Sequence, residues 1–347
     1  MAEIRLEGVT KRYGDLVALD DVSLVIEDGS FTSIFGPPSS GKSVLLRVLL
    51  GLESVDAGRV IVDGRDVTHA TPNARNLSMV FQNLALFPHL DARDNIAFPM
   101  IRRGATQEDI DRWLEQLSGV LSIGHILHKR PAALSGGERQ RVAIGRALIR
   151  DASAYMMDEP IAALDARLRD AMRVELKRLQ TELGRTFIYV THDCEEAMSV
   201  ADNMAILENG RIVQQGRPDE VYTRPETLYV ARLVGSPGIN VLAGHASDNG
   251  VDIAMGRIAV PVDAGAVCVA LRPEALGLAR PGEGELRGTI TDIERLGGFS
   301  VLTVSGGEEL RAISNADVAH RIGDEVGLTV DPSGMHLFDP QAGTRIG

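Results

Sequence analysis

The chain opens with an alternation of apolar and polar residues that runs from Ile4 to Ile26 around the turn Tyr13-Gly14-Asp15. A period of two is typical of strands with one buried face, so this segment predicts a small antiparallel sheet. The next apolar stretch, Phe31–Phe35, is short and continuous, which predicts a buried strand. Val44–Leu50 is apolar on nearly every side and predicts a core helix. A strand, a loop and a helix therefore follow one another directly.

Further short apolar runs continue this α/β pattern. Strands are predicted at Gly58–Gly64, Leu77–Gln82, Tyr155–Met157 and Phe187–Thr191. Asp165 is a suitable N-cap for a helix over Ala166–Leu183, which has one apolar face. That face consists of Leu168, Met172, Leu176, Leu179 and Leu183. Residues 83–151 carry few strand signals and predict an inserted helical subdomain. We therefore predict an α/β domain over residues 1–235.

The pattern changes after residue 235, where short strand-like runs lie between turns that contain glycine and proline. The clearest runs are 251–254, 266–271, 288–293 and 326–330. Such spacing is typical of a small β-barrel of the OB type. The sequence thus predicts a second, all-β domain over residues 236–347.

Composition excludes several classes of function. The 347 residues are 44% hydrophobic and 24% charged, as in ordinary globular proteins, and no run is long enough for a membrane-spanning helix. A net charge of −12 argues against a nucleic-acid partner. Residues 236–347 contain 8 Arg, no Lys, 8 Asp and 7 Glu, a net −7. The N-terminus has no secretion-signal pattern, so we expect the protein in the cytoplasm unless a partner holds it at a membrane. Cys194 and Cys268 are expected to be reduced structural residues.

Residues 36–43 read Gly-Pro-Pro-Ser-Ser-Gly-Lys-Ser, the phosphate-binding P-loop pattern G-x-x-x-x-G-K-S. A predicted strand precedes the segment and a predicted helix follows it. That context aims backbone N–H groups and a positive helix end at one point, and it disfavours a chance glycine turn. Lys42 would reach the β- and γ-phosphates, and the Ser43 hydroxyl would bind Mg²⁺. The nucleotide-binding assignment covers Gly36, Pro37, Pro38, Ser39, Ser40, Gly41, Lys42, Ser43 and Val44.

Polar side chains at the ends of later strands complete a candidate hydrolytic site. Asp158 suits a Mg²⁺-holding role, and Glu159 suits the base that orients an attacking water. Gln82 can reach Mg²⁺ or that water, and His192 can contact the γ-phosphate. The ordinary alternatives are a helix cap, a solvated loop residue and a structural histidine, and the P-loop argues against them. Tyr13 is the aromatic residue that could stack on the nucleobase.

A second glycine turn, Ser135-Gly136-Gly137-Glu138, stands at the start of a predicted helix over 138–150. It offers another set of N–H donors at a helix N-terminus, although the chain has one triphosphate loop. The simplest account is that this turn contacts the γ-phosphate held by another subunit.

Together these motifs resemble the ATP-binding subunit of ABC importers, specifically the carbohydrate-uptake type with a C-terminal regulatory domain. The resemblance covers essentially the whole chain. The runs that carry it are Leu134–Arg141, Asp158–Asp165, Tyr189–Asp193, Gly210–Gly216 and Tyr222–Pro225. It implies that Tyr13 stacks on adenine, Gln82 is the Q-loop glutamine, and residues 135–138 are the ABC signature. It also implies that Glu159 is the catalytic carboxylate, His192 is the switch histidine, and residues 87–96 grip a permease helix.

The resemblance implies cofactors and partners as well. These are ATP and Mg²⁺, two polytopic permease subunits, and indirectly an extracytoplasmic solute-binding protein. The two cassettes would form a homodimer or a heterodimer with a paralogous ATPase, peripherally bound at the cytoplasmic face of the bacterial inner membrane. A sugar, a polyol or a glycerol phosphate all remain open as the solute. The alternatives are a non-transport ABC ATPase and a protein that acts mainly as a regulatory binding module.

Three positions depart from the family pattern. Ser39 replaces a common glycine, Val44 replaces Thr or Ser, and Ala162 replaces a frequent serine. A non-glycine residue forced to positive φ costs about 1 kcal/mol, so we expect Ser39 to weaken nucleotide binding without abolishing it.

Overall fold

The computed structural model describes residues 3–162, 164–248, 250–263, 265–315 and 320–346. The chain divides into two compact units, residues 1–218 and 219–347. Among the helices of these described ranges, none combines the length and the apolar character needed to cross a bilayer.

The first unit is an α/β domain. Its elements are β1 (Ile4–Tyr13), β2 (Leu16–Ile26), β3 (Phe31–Phe35), α1 (Lys42–Leu50), β4 (Ala57–Val62), β5 (Arg65–Asp66), α2 (Pro72–Arg75), β6 (Leu77–Val80), α3 (Ala92–Arg102), α4 (Gln107–Val120), α5 (Gly136–Leu148), β7 (Ala154–Asp158), α6 (Ala166–Leu183), β8 (Thr186–Thr191), α7 (Cys194–Val200), β9 (Asn203–Glu208) and β10 (Arg211–Gly216). The strands and helices predicted in this region are confirmed, with helix α5 beginning two residues earlier than expected.

A six-stranded sheet in the order β10-β9-β3-β8-β7-β6 forms the centre of this unit. Strands β9, β3, β8, β7 and β6 pair in parallel, and β10 pairs antiparallel to β9. Parallel strands end at the same edge of a sheet, so the residues that follow β3, β6, β7 and β8 meet there. This edge carries the candidate site.

Alternate residues of the central strands enter two different cores. On one face, residues such as Ile34 and Met156 pack with α1 and with the four-stranded sheet β2-β1-β4-β5. On the other face, residues such as Phe31 and Met157 pack with helices α3 to α6. Helix α1 is therefore buried between two sheets, which explains why Val44–Leu50 is apolar nearly all round.

The second unit consists of two short helices and an all-β domain. Its elements are α8 (Pro218–Thr223), α9 (Leu228–Leu233), β11 (Asn240–Ser247), β12 (Gly250–Ile253), β13 (Gly256–Ala259), β14 (Gly265–Leu271), β15 (Leu276–Ala279), β16 (Leu286–Arg295), β17 (Phe299–Ser305), β18 (Glu309–Asn315), β19 (Glu325–Val330) and β20 (Met335–Phe338). The strands join in one ten-stranded antiparallel sheet around an apolar core. The four strands predicted here are confirmed, whereas β11, β13, β15, β17, β18 and β20 were not predicted from the sequence.

Residues 219–235 pack with the all-β domain, although the sequence placed them before the domain boundary. Fully buried Arg272, directly after β14, explains this packing. Its guanidinium donates to the carbonyls of Tyr222, Ala231 and Val234 and lies 3.9 Å from the centre of the Tyr222 ring. One arginine thus caps the C-terminal ends of both short helices.

Candidate nucleotide site

The P-loop connects β3 to α1, as its sequence predicts. Gly41 occupies the N-cap of α1 with φ of 106°, in the region that favours glycine. A Cβ atom at Gly41 would lie 2.6 Å from the Ala18 carbonyl oxygen, and one at Gly36 would lie 2.2 Å from that of Leu207. Both positions therefore need glycine, because the loop passes close to the main chain of β2 and β9.

Ser39 lies in the left-handed region with φ of 65°. The positive φ considered for this serine is confirmed. L-residues other than Asn and Asp rarely adopt this conformation, at a cost of about 1–2 kcal/mol. Of the other two departures, Val44 packs against the α1 core and Ala162 is exposed in the turn after Glu159.

Lys42 is buried inside the loop. Its Nζ donates to the carbonyls of Gly36 at 2.8 Å and Pro37 at 2.7 Å. Burial lowers the pKa of this ammonium, while the charges of Glu159 and Asp158 act in the opposite direction. The Lys42 ammonium therefore lies inside the P-loop turn, on the side of Asp158 and Glu159.

Asp158 is the last residue of β7 and is buried. Burial raises the pKa of its carboxyl, and a hydrogen bond from the Ser43 hydroxyl opposes that shift. The two oxygen groups assigned to Mg²⁺ are thus in contact. In the described part of the chain no cluster of three or more His, Cys, Asp or Glu side chains could hold a metal unaided. Mg²⁺ that binds through one or two protein oxygens and substrate phosphates needs no such cluster, so the donor set fits it.

Glu159 brings together the other predicted hydrolytic residues. Its carboxylate lies 2.9 Å from Nδ1 of His192 and 3.3 Å from Nε2 of Gln82. The three residues follow β7, β8 and β6, which are neighbours in the sheet. Glu159 has φ of 47°, and its N–H donates to the Val190 carbonyl at 3.0 Å. A strained turn therefore positions the Glu159 carboxylate at the edge of the sheet.

A buried carboxylate holds the end of β8, directly before His192, and was missed in the sequence. Glu196, 4% exposed, accepts hydrogen bonds from the hydroxyls of Thr191 at 2.7 Å and Tyr189 at 2.9 Å. Burial raises the pKa of the Tyr189 hydroxyl, which stays a donor. Asp193 caps α7 by accepting the Glu196 N–H. The sequence did contain a signal for it, because Glu196 is an acidic residue three positions after Asp193, which caps α7.

Tyr13 is 42% exposed at the end of β1, and its ring lies 5.2 Å from Nζ of Lys11. Lys11 is buried and lies 3.8 Å from the Glu53 carboxylate. Partial burial and the neighbouring Glu53 raise the pKa of the Tyr13 hydroxyl. Lys11 and Glu53 thus hold the Tyr13 ring in place with part of it exposed. Neither residue was predicted from the sequence.

The second glycine turn begins α5. The Ser135 hydroxyl accepts the Glu138 N–H, and the Glu138 carboxylate accepts the Ser135 N–H at 2.6 Å, which lowers the pKa of that carboxyl. A Cβ atom at Gly137 would lie 2.3 Å from the Leu168 side chain, so a larger residue there would displace Leu168 of α6. Within the described ranges, no hydrogen bond or ion pair joins this turn to the P-loop or to Glu159. Among the described residues, this turn therefore makes no direct polar contact with those around Lys42.

The fold and the site define a P-loop nucleotide-binding protein with a helical insertion that carries a second glycine turn. A family model described as "ABC transporter" matches residues 19–162, and one described as "TOBE domain" matches residues 269–338. The chain is 41% identical to the sn-glycerol-3-phosphate import ATP-binding protein UgpC 3 of Rhizobium etli, over 99% of each chain. It is 42% identical to the protein named UgpC of Ruegeria pomeroyi, over 100% of this chain and 99% of the relative.

Solved structures match more than half of the chain. The dimeric post-hydrolysis ATP-binding cassette MJ0796 with ADP and Pi matches 62% of this chain and 98% of its own, at 31% identity and a TM-score of 0.56. The cassette cbiO1 of Clostridium perfringens, described as part of the transporter complex cbiONQ, matches 64% and 90%, at 27% identity and a TM-score of 0.60. The chain belongs to the ABC transporter family, as an ATP-binding subunit with a C-terminal TOBE domain. The predicted resemblance and fold class are confirmed.

Proposed function

We propose that this chain is the ATP-hydrolysing, energy-coupling subunit of an importer for a glycerol-phosphate-like solute. The observation that carries the proposal is the likeness to import ATP-binding proteins over the full chain, second domain included. The convergence of Glu159, His192 and Gln82 beside the P-loop supports the hydrolytic part.

Hydrolysis would use this chain's residues in separate roles. The Lys42 ammonium would exchange its bonds with the loop carbonyls for bonds with the β- and γ-phosphates. Ser43, Asp158 and Gln82 would hold Mg²⁺, which when bound neutralises charge that develops on the phosphate oxygens. Glu159 would orient the attacking water and accept its proton, since its carboxylate is at the sheet edge. His192, which directly follows Thr191 at the end of β8, would contact the γ-phosphate.

Two cassettes would be needed for this reaction, because in the described ranges the Ser135–Glu138 turn makes no polar contact with the P-loop of its own chain. At its helix N-terminus the Gly136 and Gly137 N–H groups have no partner within the helix. We propose that they bind the γ-phosphate held by a second copy or by a paralogous subunit. The dimeric state described for MJ0796 supports this arrangement.

A groove beside the Gln82 loop is the proposed docking site for a permease. It has a volume of about 580 Å³ and is lined largely by apolar side chains, among them Leu52, Met79, Phe81, Phe87 and Phe98. Asn95 of α3 fixes its rim, donating to the carbonyls of Phe87, Leu90 and Asp91. An amphipathic helix from a membrane subunit suits such a groove. Two permease subunits would then hold the dimer at the cytoplasmic face of the inner membrane, with an extracytoplasmic binding protein delivering the solute.

Affinity purification from native membranes tests the coupling role. We expect two polytopic membrane proteins to copurify with the chain and to raise its ATP turnover. Recovery of the chain without any membrane protein would instead favour a non-transport ATPase.

Uptake by whole cells tests the solute. Cells with Lys42→Ala in place of the wild-type chain should lose accumulation of labelled sn-glycerol-3-phosphate, while Arg65→Ala, an exposed change on the β5 hairpin, should retain it. Unchanged glycerol-phosphate uptake with loss of sugar or polyol uptake would reassign the solute without changing the ATPase role.

A further inference from the structure

The loop that follows Gln82 has an unusual backbone. Leu84 and Ala85 are consecutive non-glycine residues with positive φ, 58° and 44°. The turn is tight, because the Leu84 N–H donates to the Phe81 carbonyl and the Ala85 N–H to the Asn83 carbonyl. Such a conformation persists only where surrounding groups hold it. Something outside the loop must therefore stabilise it.

Arg146, in the last turn of α5, supplies that support. Its Nη1 donates to the Ala85 carbonyl at 2.6 Å and its Nη2 to the Leu84 carbonyl at 2.7 Å. The guanidinium also lies 5.7 Å from the centre of the Phe87 ring. Among the described residues, no carboxylate lies within ion-pair distance of Arg146. The planar fork of this arginine is thus committed to the two strained carbonyls.

The same helix carries the second glycine turn at its other end. Ser135 caps the start of α5, and Arg146 lies eleven positions further along, about 16 Å at 1.5 Å per residue. Arg146, Ala85 and Phe87 also line the apolar groove. One rigid helix therefore connects the turn proposed to bind the second nucleotide, the Gln82 loop and the groove wall.

We infer that Arg146 is a positioning residue that couples the signature end of α5 to the Gln82 loop and, through it, to the permease. This inference rests on the proposed function. A displacement of the helix when the two cassettes close would carry the guanidinium, and with it the carbonyls of Leu84 and Ala85. A lysine cannot replace it fully, since its donors all lie on one atom and lack the planar fork that reaches two separate carbonyls.

The first test is hydrogen–deuterium exchange of the isolated full chain. In Arg146→Lys and Arg146→Gln, amides 84, 85 and 87 should exchange about tenfold faster, as expected when a charged hydrogen bond is lost from a local structure. Arg141→Gln is the matched control, because Arg141 lies on the same helix and donates instead to Leu121 at 3.4 Å. Unchanged exchange in a folded Arg146→Lys chain would overturn the inference, whatever the permease does.

The second test is ATP turnover with the copurifying membrane proteins. The ratio of permease-stimulated to basal turnover should fall about tenfold in Arg146→Lys and stay near wild type in Arg141→Gln. A purely structural arginine would lower both rates together and leave the ratio intact, which would contradict the coupling role. If the wild-type chain itself is not stimulated, the proposed function fails, and the exchange measurement still decides whether Arg146 holds the loop.

Discussion

At the scale of single residues, the candidate site concentrates backbone strain. Ser39 in the P-loop and Glu159 after β7 both have positive φ although neither is glycine. Strained residues persist where the surrounding structure fixes them, and they cluster at functional sites. Here Glu159 is fixed by its N–H bond to Val190. These positions make separate predictions for hydrolysis and for nucleotide affinity.

Replacing Glu159 with Gln should leave ATP binding intact and slow hydrolysis about 10²-fold or more, because the amide cannot accept the proton of the attacking water. ATP turnover and equilibrium nucleotide binding measure the two effects. Glu182→Gln, on the exposed side of α6, is the matched control. Turnover near wild type in Glu159→Gln would remove this residue from the role of base.

Replacing Ser39 with Gly should tighten nucleotide binding several-fold or leave it unchanged, with a ceiling of about 1 kcal/mol. Glycine adopts a φ of 65° without the steric cost that serine bears. Equilibrium titration with ATP measures the effect. The control is Asp63→Gly, an exposed turn position with φ of 52° outside the site, which should not change affinity. Weaker binding in Ser39→Gly would show that the serine hydroxyl contacts the nucleotide.

At the scale of elements, helix α1 depends on different residues at its two ends. Gly41 leaves the N–H groups at its start free to face phosphates. At its end, Arg75 is 3% exposed and donates to the carbonyls of Val48, Leu49, Thr68 and Ala70. Burial lowers the pKa of this guanidinium. The positive charge of Arg75 also interacts favourably with the negative C-terminal end of the helix dipole.

Replacing Arg75 with Met should destabilise the first unit by about 3 kcal/mol, because four buried carbonyls lose a charged donor. The corresponding fall in its thermal transition is roughly 6–12 °C for a domain of this size. Differential scanning calorimetry measures the shift, and exposed Arg65→Met is the control. A transition that does not move would mean that the carbonyls find other donors.

The buried strand β20 contains a histidine that should make the second unit sensitive to acid. His336 is 3% exposed, and its Nδ1 has no hydrogen-bond partner among the described residues. Burial, with the charges of Arg272 and Arg345, lowers its pKa from 6.5 to about 4. The unfolded chain therefore binds a proton between pH 6.5 and 4 that the folded chain does not. Stability is full above pH 6.5 and falls as the pH decreases through that window.

The expected loss by pH 4 is about 3 kcal/mol. His336→Met should remove this part of the pH dependence, and His245→Gln, an exposed change on β11, should not. Denaturant unfolding at pH 7 and at pH 4.5 gives the comparison. Equal pH dependence in wild type and His336→Met would contradict the assignment.

At the scale of the whole molecule, the chain is built from two units with separate cores. The residues of the nucleotide site all lie in the first unit, before residue 219. Helix α9 belongs to the second unit, where Ala231 packs with Ile239, Ala270 and Phe338. The segment 219–235 therefore depends on the all-β domain for its burial.

A chain truncated after residue 218 should bind ATP with nearly wild-type affinity, because every phosphate-handling residue is kept. A chain truncated after residue 235 should bind ATP but be less soluble, since α9 then exposes the apolar face that Ala270 and Phe338 cover. Sedimentation and nucleotide titration of the two chains measure this. Higher solubility of the longer chain would place these helices in the first unit. Failure of the shorter chain to bind ATP would show that the site depends on the second unit.

Local sequence patterns determined much of the first unit and of the nucleotide site. The P-loop, its strand and its helix are fixed within twenty residues, and the Asp165 cap and the apolar face of α6 follow from helical spacing. The acids after β7 and the histidine after β8 were predicted at one edge because parallel strands end together. Short-range patterns suffice wherever burial and hydrogen bonding repeat with the period of one element.

The tertiary structure alone decided which distant groups meet. Arg146 and Leu84 are joined across 62 positions, and Arg272 and Ala231 across 41, by arginine donors to main-chain carbonyls. Every residue has a main-chain carbonyl, so no side-chain pattern in the sequence identifies which carbonyl accepts the hydrogen bond. Strands β17 and β18, which were not predicted, pair over only 4 to 16 positions, but their burial depends on neighbours that sequence spacing does not encode. Sequence periodicity indicates which face of a helix or strand is buried, whereas tertiary packing determines which other element covers that face.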